Sequence, residues 1–203
     1  FRIYRHQEDD STSISNAFVN AVHMTKSGAV WIGTRKGLNK YNADIDGFEN
    51  FFYNVQDQNS LSHNYVTSVF EDKDSILWIG TKDGLNSYNY ETGNFARYYH
   101  DIKNDNSLSS DKITTIFEEQ SGTLWIGTEE GLNRYESEKN YFTRYVHDVG
   151  NSRSLSNNFI TYIYQDDSGN LWIGTQKGLN RFNRKTESFT CYFNEPDNPS
   201  SLS

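Results

Sequence analysis

Residues 77–86, which read LWIGTKDGLN, decide the fold because the chain repeats them. The nonapeptides that begin at Trp31, Trp78, Trp125 and Trp172 read WIGTRKGLN, WIGTKDGLN, WIGTEEGLN and WIGTQKGLN. Consecutive tryptophans are 47 residues apart. A period of this length is typical of a supersecondary unit that cannot bury its apolar face alone and stacks on copies of itself.

Each period predicts four β-strands. In the second period, turn residues separate four runs that favour β-structure, namely residues 65–71, 76–81, 85–89 and 94–100. The turn before the third run contains Gly84, for which we expect a positive φ angle. A long polar return, residues 101–110, leads to the next period. Four antiparallel strands with a long return predict the blade of a β-propeller.

The whole chain is therefore predicted to be all-β, with four 47-residue, four-stranded blades. An extra outer strand is predicted at residues 1–6, so that propeller repeats occupy residues 1–203. The predicted blade cores are about residues 18–53, 65–100, 112–147 and 159–194.

Composition argues against several classes of protein. The net charge is −8, and Lys and Arg are dispersed, so a phosphate-binding or polybasic membrane surface is not expected. Cys191 is the only cysteine, which excludes an intrachain disulfide and a Cys-x-x-Cys metal site. No apolar run has the length of a membrane span, and direct membrane insertion is not expected. The sequence contains no G-x-S-x-G, phosphate-loop or H-E-x-x-H motif, and we predict no catalytic residue, no metal and no cofactor.

The residues that every period shares are expected to have structural roles. We expect each indole to fill the gap between neighbouring sheets. The glycine two residues later, Gly33 in the first period, is expected to make room for a neighbouring ring. An aliphatic residue in each return loop is expected to anchor that loop to the next sheet, at Ile14, Leu61, Leu108, Leu155 and Leu202.

Two further patterns resemble functional sites but favour structural interpretations. Residues 167–172, DSGNLW, resemble the Asp-box hairpin of sialidase-type propellers, which is itself structural, and the other periods have Lys or Gln at the Asp167 position. His6, His100 and His147 occupy one repeat position, so they are spread around the rim and cannot converge on one metal ion. We expect each to be a hydrogen-bonding residue at the end of a strand.

The string L-W-I-G-T-x-x-G-L-N-x-[YF], with N-S-L-S upstream, resembles the two-component regulator propeller repeat over nearly the whole chain. This resemblance implies a periplasmic sensor propeller of about seven blades, of which the four periods would be a segment. It also implies a membrane-anchored output module, a histidine kinase, hybrid kinase or diguanylate cyclase, and an oligosaccharide ligand. A closed four-bladed ring remains an alternative. Further blades or a second copy of the chain are the expected partners that complete the ring.

Candidate ligand-binding residues are those that differ between the repeats at one face. Propeller topology places the turns between second and third strands, and the return loops, on the same face, where ligands usually bind. An asymmetric ligand requires asymmetric positions on this repeated scaffold, and aromatic and polar side chains there suit sugars. The candidates are Arg35, Lys36, His63, Tyr65, Lys82, Asp83, Asp111, Lys112, Glu129, Glu130, Asn158, Phe159, Gln176 and Lys177.

Three functions remain open from the sequence. The favoured hypothesis is a non-enzymatic, extracytoplasmic, ligand-sensing propeller of a membrane-bound signalling protein. The second is a propeller enzyme of the streptogramin-lyase type, which would need a convergent set of catalytic groups. The third is a protein-interaction or dimerisation propeller without a small ligand.

Overall fold

The structure is a computed structural model that describes residues 2–196, 198 and 201–202. Within those residues the chain forms sixteen strands and no helix. The strands are β1 (Val19–Met24), β2 (Val30–Thr34), β3 (Gly37–Asn42), β4 (Gly47–Phe51), β5 (Val66–Glu71), β6 (Leu77–Thr81), β7 (Leu85–Tyr88), β8 (Phe95–Tyr98), β9 (Ile113–Glu118), β10 (Leu124–Thr128), β11 (Gly131–Glu136), β12 (Tyr141–Tyr145), β13 (Ile160–Gln165), β14 (Leu171–Thr175), β15 (Gly178–Asn183) and β16 (Ser188–Tyr192).

Each set of four consecutive strands forms one antiparallel sheet in sequence order. This is the strand order of a propeller blade, and it confirms the predicted fold class. The chain divides into two compact units, residues 1–99 and residues 100–203. The N-terminal unit contains the first sheet, β1–β4, and the second sheet, β5–β8; the C-terminal unit contains the third sheet, β9–β12, and the fourth sheet, β13–β16.

Tryptophans fill the space between the two sheets of each unit, as expected. Trp31 is fully buried, and its ring lies 5.2 Å from that of Tyr88 in the second sheet. In the C-terminal unit, Trp125 has the same position, 5.1 Å from the ring of Phe182. Offset and edge-on aromatic pairs of this kind add to the stabilisation from apolar burial.

The glycine two residues after the tryptophan makes room for an aliphatic side chain at Gly33 and Gly127, so the expectation of a ring was wrong there. A Cβ atom on Gly33 would lie 2.5 Å from Cγ1 of Val66, and one on Gly127 would lie 2.7 Å from Cγ2 of Ile160. Val66 and Ile160 are the first residues of the inner strands of the next sheets. A β-branched side chain is short and wide enough for that gap, whereas an aromatic ring would hold the sheets apart.

Buried polar residues explain why the sequence of each period is so similar. In the second sheet, the Ser62 N–H donates to Oδ1 of Asn86 at 2.8 Å, and the Ser62 hydroxyl bonds to that of Thr81 at 3.0 Å. Asn86 Nδ2 donates to the Ile79 carbonyl at 3.1 Å. The same serine, threonine and asparagine contacts recur as Ser15, Thr34 and Asn39; Ser109, Thr128 and Asn133; and Ser156, Thr175 and Asn180.

This polar network fixes the turn between the second and third strands. The Thr81 hydroxyl donates to the Gly84 carbonyl at 2.8 Å. Gly84 has a φ angle of +105°, as predicted, and a Cβ there would lie 2.8 Å from the ring of Tyr99. Only glycine suits this turn without strain.

The return loops are anchored by their aliphatic residues, with one exception. Leu61, Leu108 and Leu155 are at most 1% exposed, and Ile14 is also buried. Leu202 differs from them because it is 37% exposed. Within the part of the chain that the structure describes, no sheet follows Leu202 to cover it.

The extra outer strand predicted at residues 1–6 is not formed. Residues 2–6 have no strand structure, and Phe1 lies outside the described residues. An outer strand needs a third strand as its hydrogen-bond partner, and β3, β7, β11 and β15 each pair already with the outer strand of their own sheet. His6 nevertheless keeps the contact of its repeat position, because Nδ1 lies 2.9 Å from the Ile14 carbonyl. His100 and His147 contact the Leu108 and Leu155 carbonyls in the same way, which confirms their structural role.

An acidic side chain holds three of the four indoles. Nε1 of Trp78 donates to Asp72 at 2.7 Å, that of Trp125 to Glu119 at 2.6 Å, and that of Trp172 to Asp166 at 2.8 Å. The acid lies six residues before the tryptophan. The hairpin residue that accepts from the indole is therefore Asp166, not the Asp167 that the Asp-box pattern indicated, because the side chain of residue 166 points toward the indole.

Candidate functional site

The two groups of candidate residues meet at one edge of every sheet. In every sheet, the first residue of the turn between the second and third strands donates its N–H to a backbone carbonyl. That carbonyl belongs to the residue just before the first strand of the sheet, which is the inner strand. In the first two sheets these bonds join Arg35 to Phe18 at 3.1 Å and Lys82 to Tyr65 at 3.0 Å. Glu129 and Lys112 in the third sheet, and Gln176 and Phe159 in the fourth, are joined in the same way. The sequence prediction that turns and return loops share an edge is confirmed within each sheet.

In the N-terminal unit this edge carries an aromatic–cation cluster, which we define as Phe18, Arg35, Tyr65 and Lys82. The Arg35 guanidinium lies 4.4 Å from the centre of the Phe18 ring and 5.8 Å from that of Tyr65. Lys82 Nζ lies 5.5 Å from the centre of the same Tyr65 ring. Arg35 therefore connects a ring of its own sheet with a ring of the next sheet, through cation–π contacts.

The cluster presents both charge and aromatic surface to solvent. Phe18 is 59% exposed, Arg35 and Lys82 are exposed, and Tyr65 is half-buried. Lys36 and Asp83, the second residues of the two turns, are exposed beside it. Their backbone N–H groups donate to the hydroxyls of Thr34 and Thr81, which fixes both turns. Because these bonds hold the backbone, the turns have little backbone conformational entropy left to lose in a contact with another molecule.

The equivalent edge of the C-terminal unit has a different charge pattern. Lys112 Nζ lies 3.1 Å from Oε2 of Glu129, so its charge is already paired. Glu130, Gln176 and Lys177 are exposed, and Phe159 is half-buried. The repeats therefore place unlike side chains on equivalent backbone positions.

Three candidates make structural hydrogen bonds to the backbone. Nδ1 of His63 accepts from the Tyr65 N–H at 2.9 Å, in the manner of Asn16 and Phe18 in the first sheet. Oδ1 of Asp111 accepts from the His100 N–H, and Oδ1 of Asn158 from the His147 N–H, each at 2.6 Å. These contacts account for the polar side chains at these positions without a ligand.

Phe18 is one of the variable residues before the inner strands, but the final set of candidates chosen from the sequence does not include it. The position before the inner strand is aromatic in three periods, at Phe18, Tyr65 and Phe159, and is Lys112 in the other. This recurrence of an aromatic residue at one repeat position was the sequence signal that could have identified Phe18. It is weak because an aromatic residue beside a strand is usually part of the core.

Among the residues that the structure describes, no group of three or more His, Cys, Asp or Glu side chains could hold a metal ion. The same residues include no helix that is long and apolar enough to span a membrane.

The sheet order and the repeated polar network define a β-propeller chain. Residues 60–83, 107–130 and 154–177 match the family model of the two component regulator propeller. These three segments therefore match the repeat family that the tryptophan motif indicated. A search of curated proteins gave no match.

Solved structures of similar fold include extracellular signalling domains. The extracellular domain assigned to the hybrid two component system BT3049 from B. thetaiotaomicron is 26% identical, with a TM-score of 0.64 over 94% of this chain and 32% of that one. The corresponding domain of BT4673 from the same organism is 28% identical, with a TM-score of 0.71 over 87% of this chain and 25% of that one. The chain thus spans about a quarter to a third of these two domains.

A lyase shares the fold at lower identity. Virginiamycin B lyase from Staphylococcus aureus is 14% identical, with a TM-score of 0.62 over 95% of this chain and 59% of that one. At this identity the likeness concerns the fold alone.

Proposed function

We propose that this chain is a non-enzymatic, ligand-sensing part of an extracytoplasmic propeller, located in the periplasm. The binding of the ligand is signalled to a membrane-anchored output domain, which belongs to a two-component sensor or a diguanylate cyclase. The observation that supports this most is the combination of the repeat matches with 26% and 28% identity to extracellular domains of two-component systems.

We propose further that the ligand is an oligosaccharide that contacts the aromatic–cation cluster. Aromatic rings stack on the apolar faces of sugars, and guanidinium N–H groups donate to hydroxyl or carboxylate oxygens. Arg35, Lys36 and Lys82 supply three positive charges at this edge, against the single negative charge of Asp83. The excess of positive charge favours a sugar that carries carboxylate or sulfate groups over a neutral one.

Thermal unfolding of the full chain against a panel of neutral and acidic oligosaccharides tests this function. A ligand at 100 times its dissociation constant stabilises the folded state by about 2.7 kcal/mol, which raises the melting temperature. Replacement of Arg35 by Ala is expected to remove the rise because it removes the group that joins both rings. Calorimetric titration of the active sugar then gives the change in affinity.

The chain offers a matched control for the second cation. Lys82 and Lys139 both lie over a tyrosine ring, at 5.5 and 5.6 Å, but Lys139 lies in the turn before β12, at the other edge of its sheet. Lys82→Ala is expected to weaken binding, and Lys139→Ala is expected to leave it unchanged. A melting temperature that no sugar raises, or one that rises equally in the Arg35 variant, contradicts the proposed site.

A further inference from the structure

One face of the first sheet is an open apolar groove of about 480 Å³. Val19 and Val22 of β1 lie at its floor and are 47% and 66% exposed. The rest of its lining is Tyr4, Ile14, Val30, Ile32, Tyr41 and Phe48. The Tyr4 ring packs edge-on against the rings of Tyr41 and Phe48. An exposed apolar surface of this kind on a folded protein often marks a site of contact with another molecule.

The repeat shows what this groove accommodates. Positions 47 residues later, Val66 and Val69 of β5, are 0% and 8% exposed, because the first sheet covers them with Trp31. Ile160 and Ile163 of β13 hold the same positions and are 0% and 2% exposed, because the third sheet covers them with Trp125. In both cases the apolar face is buried against the tryptophan-bearing face of the preceding sheet. Ile113 and Ile116 of β9, at the same positions, are 2% and 8% exposed, so among the four sheets this face is open only in the first.

The fourth sheet has the complementary surface uncovered. Trp172 is only partly buried, whereas Trp31 and Trp125 are at most 1% exposed. Tyr162, on the same face of β13, is 64% exposed. Gly174, the equivalent of Gly33, meets only Thr161 and Tyr162 of its own sheet, so no valine or isoleucine from another sheet fills the space over it.

We propose that the groove of the first sheet is the docking site for the tryptophan-bearing face of another repeat of the same kind, supplied in solution by the fourth sheet of a second copy of the chain. In this arrangement Val19 packs over Gly174 as Val66 packs over Gly33. Trp172 takes the place of Tyr4, whose ring lies 5.8 Å from that of Tyr41, and packs against Tyr41, the equivalent of the Tyr88 that contacts Trp31. Because the two surfaces are different, the contact is head-to-tail, and it builds a closed ring or an open chain rather than a face-to-face dimer.

The first sheet is well suited to such a contact because its rim is apolar as well as its floor. Met24 occupies the position of Glu71, Glu118 and Gln165 and is 69% exposed. In the first two sheets, Glu71 accepts a hydrogen bond from the Lys26 N–H at 2.7 Å. A contact at the groove lacks that polar pair, and gains apolar area from Met24 in its place.

Sedimentation of the full chain and two surface variants tests the proposal. The wild-type chain is expected to show an average mass above that of the monomer, which increases with concentration. Val22→Glu blocks the groove and Tyr162→Glu blocks the tryptophan-bearing face, so each variant alone is expected to be monomeric. Val149→Glu is the control, because Val149 is a 92% exposed valine in a return loop, and this variant is expected to associate like the wild type.

Mixing the two blocked variants separates this contact from nonspecific association. Each retains one intact surface, so an equimolar mixture is expected to form a one-to-one dimer and nothing larger. Val22→Thr, which keeps the shape of valine, is expected to weaken association without any change in the circular dichroism spectrum. A monomeric wild type at every concentration, association that survives either glutamate variant, or a mixture that stays monomeric overturns the proposal.

Discussion

Among single residues, Trp31 differs from the other three tryptophans in its polar contacts. Its buried Nε1 makes no hydrogen bond of ordinary geometry, because Thr25 holds the position that Asp72, Glu119 and Asp166 fill in the other sheets. Tyr90 lies beside this indole, at a ring distance of 6.5 Å. Burial raises the pKa of the Tyr90 hydroxyl to about 12, a rise that the indole N–H opposes.

A change of Thr25 to Asp is expected to stabilise the chain by about 1 kcal/mol at neutral pH. The new carboxylate would accept from the Trp31 indole and keep the acceptor that Thr25 Oγ1 offers to the Ala29 N–H. Asp166 makes the equivalent contacts, and the Trp172 N–H lowers the pKa of its carboxyl. The gain should therefore be complete above the unfolded-state pKa of about 4 and be lost as the pH falls through the lower folded-state pKa.

Urea unfolding at neutral and acidic pH measures this gain. Thr25→Asn is the control, since it offers a similar shape without the charge, and its smaller effect should not vary with acid. Equal stability of the wild type and the aspartate variant at neutral pH would show that the indole N–H has no need of a partner.

Loss of one buried asparagine is expected to be costly. In Asn86→Ala, the Ser62 N–H and the Ile79 carbonyl lose their partner while they remain buried. We expect the free energy of unfolding to decrease by about 2 kcal/mol, as for other buried polar groups left without a hydrogen bond. Asn94→Ala, at an exposed asparagine in the turn before β8, should change it by less than about 0.5 kcal/mol in the same urea titration.

At the scale of elements, a histidine couples the inner strands of the first two sheets. Nε2 of His23 in β1 accepts from the Glu71 N–H of β5 at 3.1 Å, so the neutral ring is the form that the contact needs. Burial lowers the pKa of His23, and the nearby Glu71 carboxylate opposes that decrease.

The stability of this pairing should depend on pH in a defined direction. Because the folded-state pKa lies below the unfolded-state value of about 6.5, the unfolded chain binds more protons between the two values. The contribution of His23 is therefore complete above pH ~6.5 and decreases as the pH falls toward the folded-state pKa. As the pH falls from about 7.5 to about 5, a range that brackets the ordinary histidine pKa, the urea midpoint should decrease in the wild type and change less in His23→Gln. Parallel curves for the two proteins would refute the assignment.

The strands could be predicted from the sequence because hydrophobic pattern, turn residues and period agree at every position. The outer strand at residues 1–6 could not, since its composition is strand-like but pairing depends on a free third strand elsewhere. The roles of Asp111 and Asn158 were also hidden, because a turn residue that varies between repeats looks the same whether it binds a ligand or caps a backbone N–H. Phe18 was missed for a similar reason: its exposure follows from packing, not from residue type.

For the whole molecule, one 47-residue period is the unit that can be removed while the remaining repeats keep their register. Removal of residues 108–154 joins Ser107 to Leu155 and restores the N-S-L-S motif of the return loop. Because the stabilising contacts repeat with the same spacing, the shortened chain should stay soluble and keep the β-sheet signal per residue in circular dichroism. Removal of residues 108–131 instead deletes Ser109 and leaves Asn133 without this partner, and that chain should aggregate. Equal behaviour of the two deletions would show that register is unimportant.

The polar network has a consequence for how the chain is made. Its bonds join residues that are 3, 7, 19 and 24 positions apart, so all of them close within a single period. Contacts of such short separation form quickly, because little loop entropy is lost in closing them. During synthesis, each sheet can therefore complete its own hydrogen bonds soon after it leaves the ribosome, before the next one has been translated.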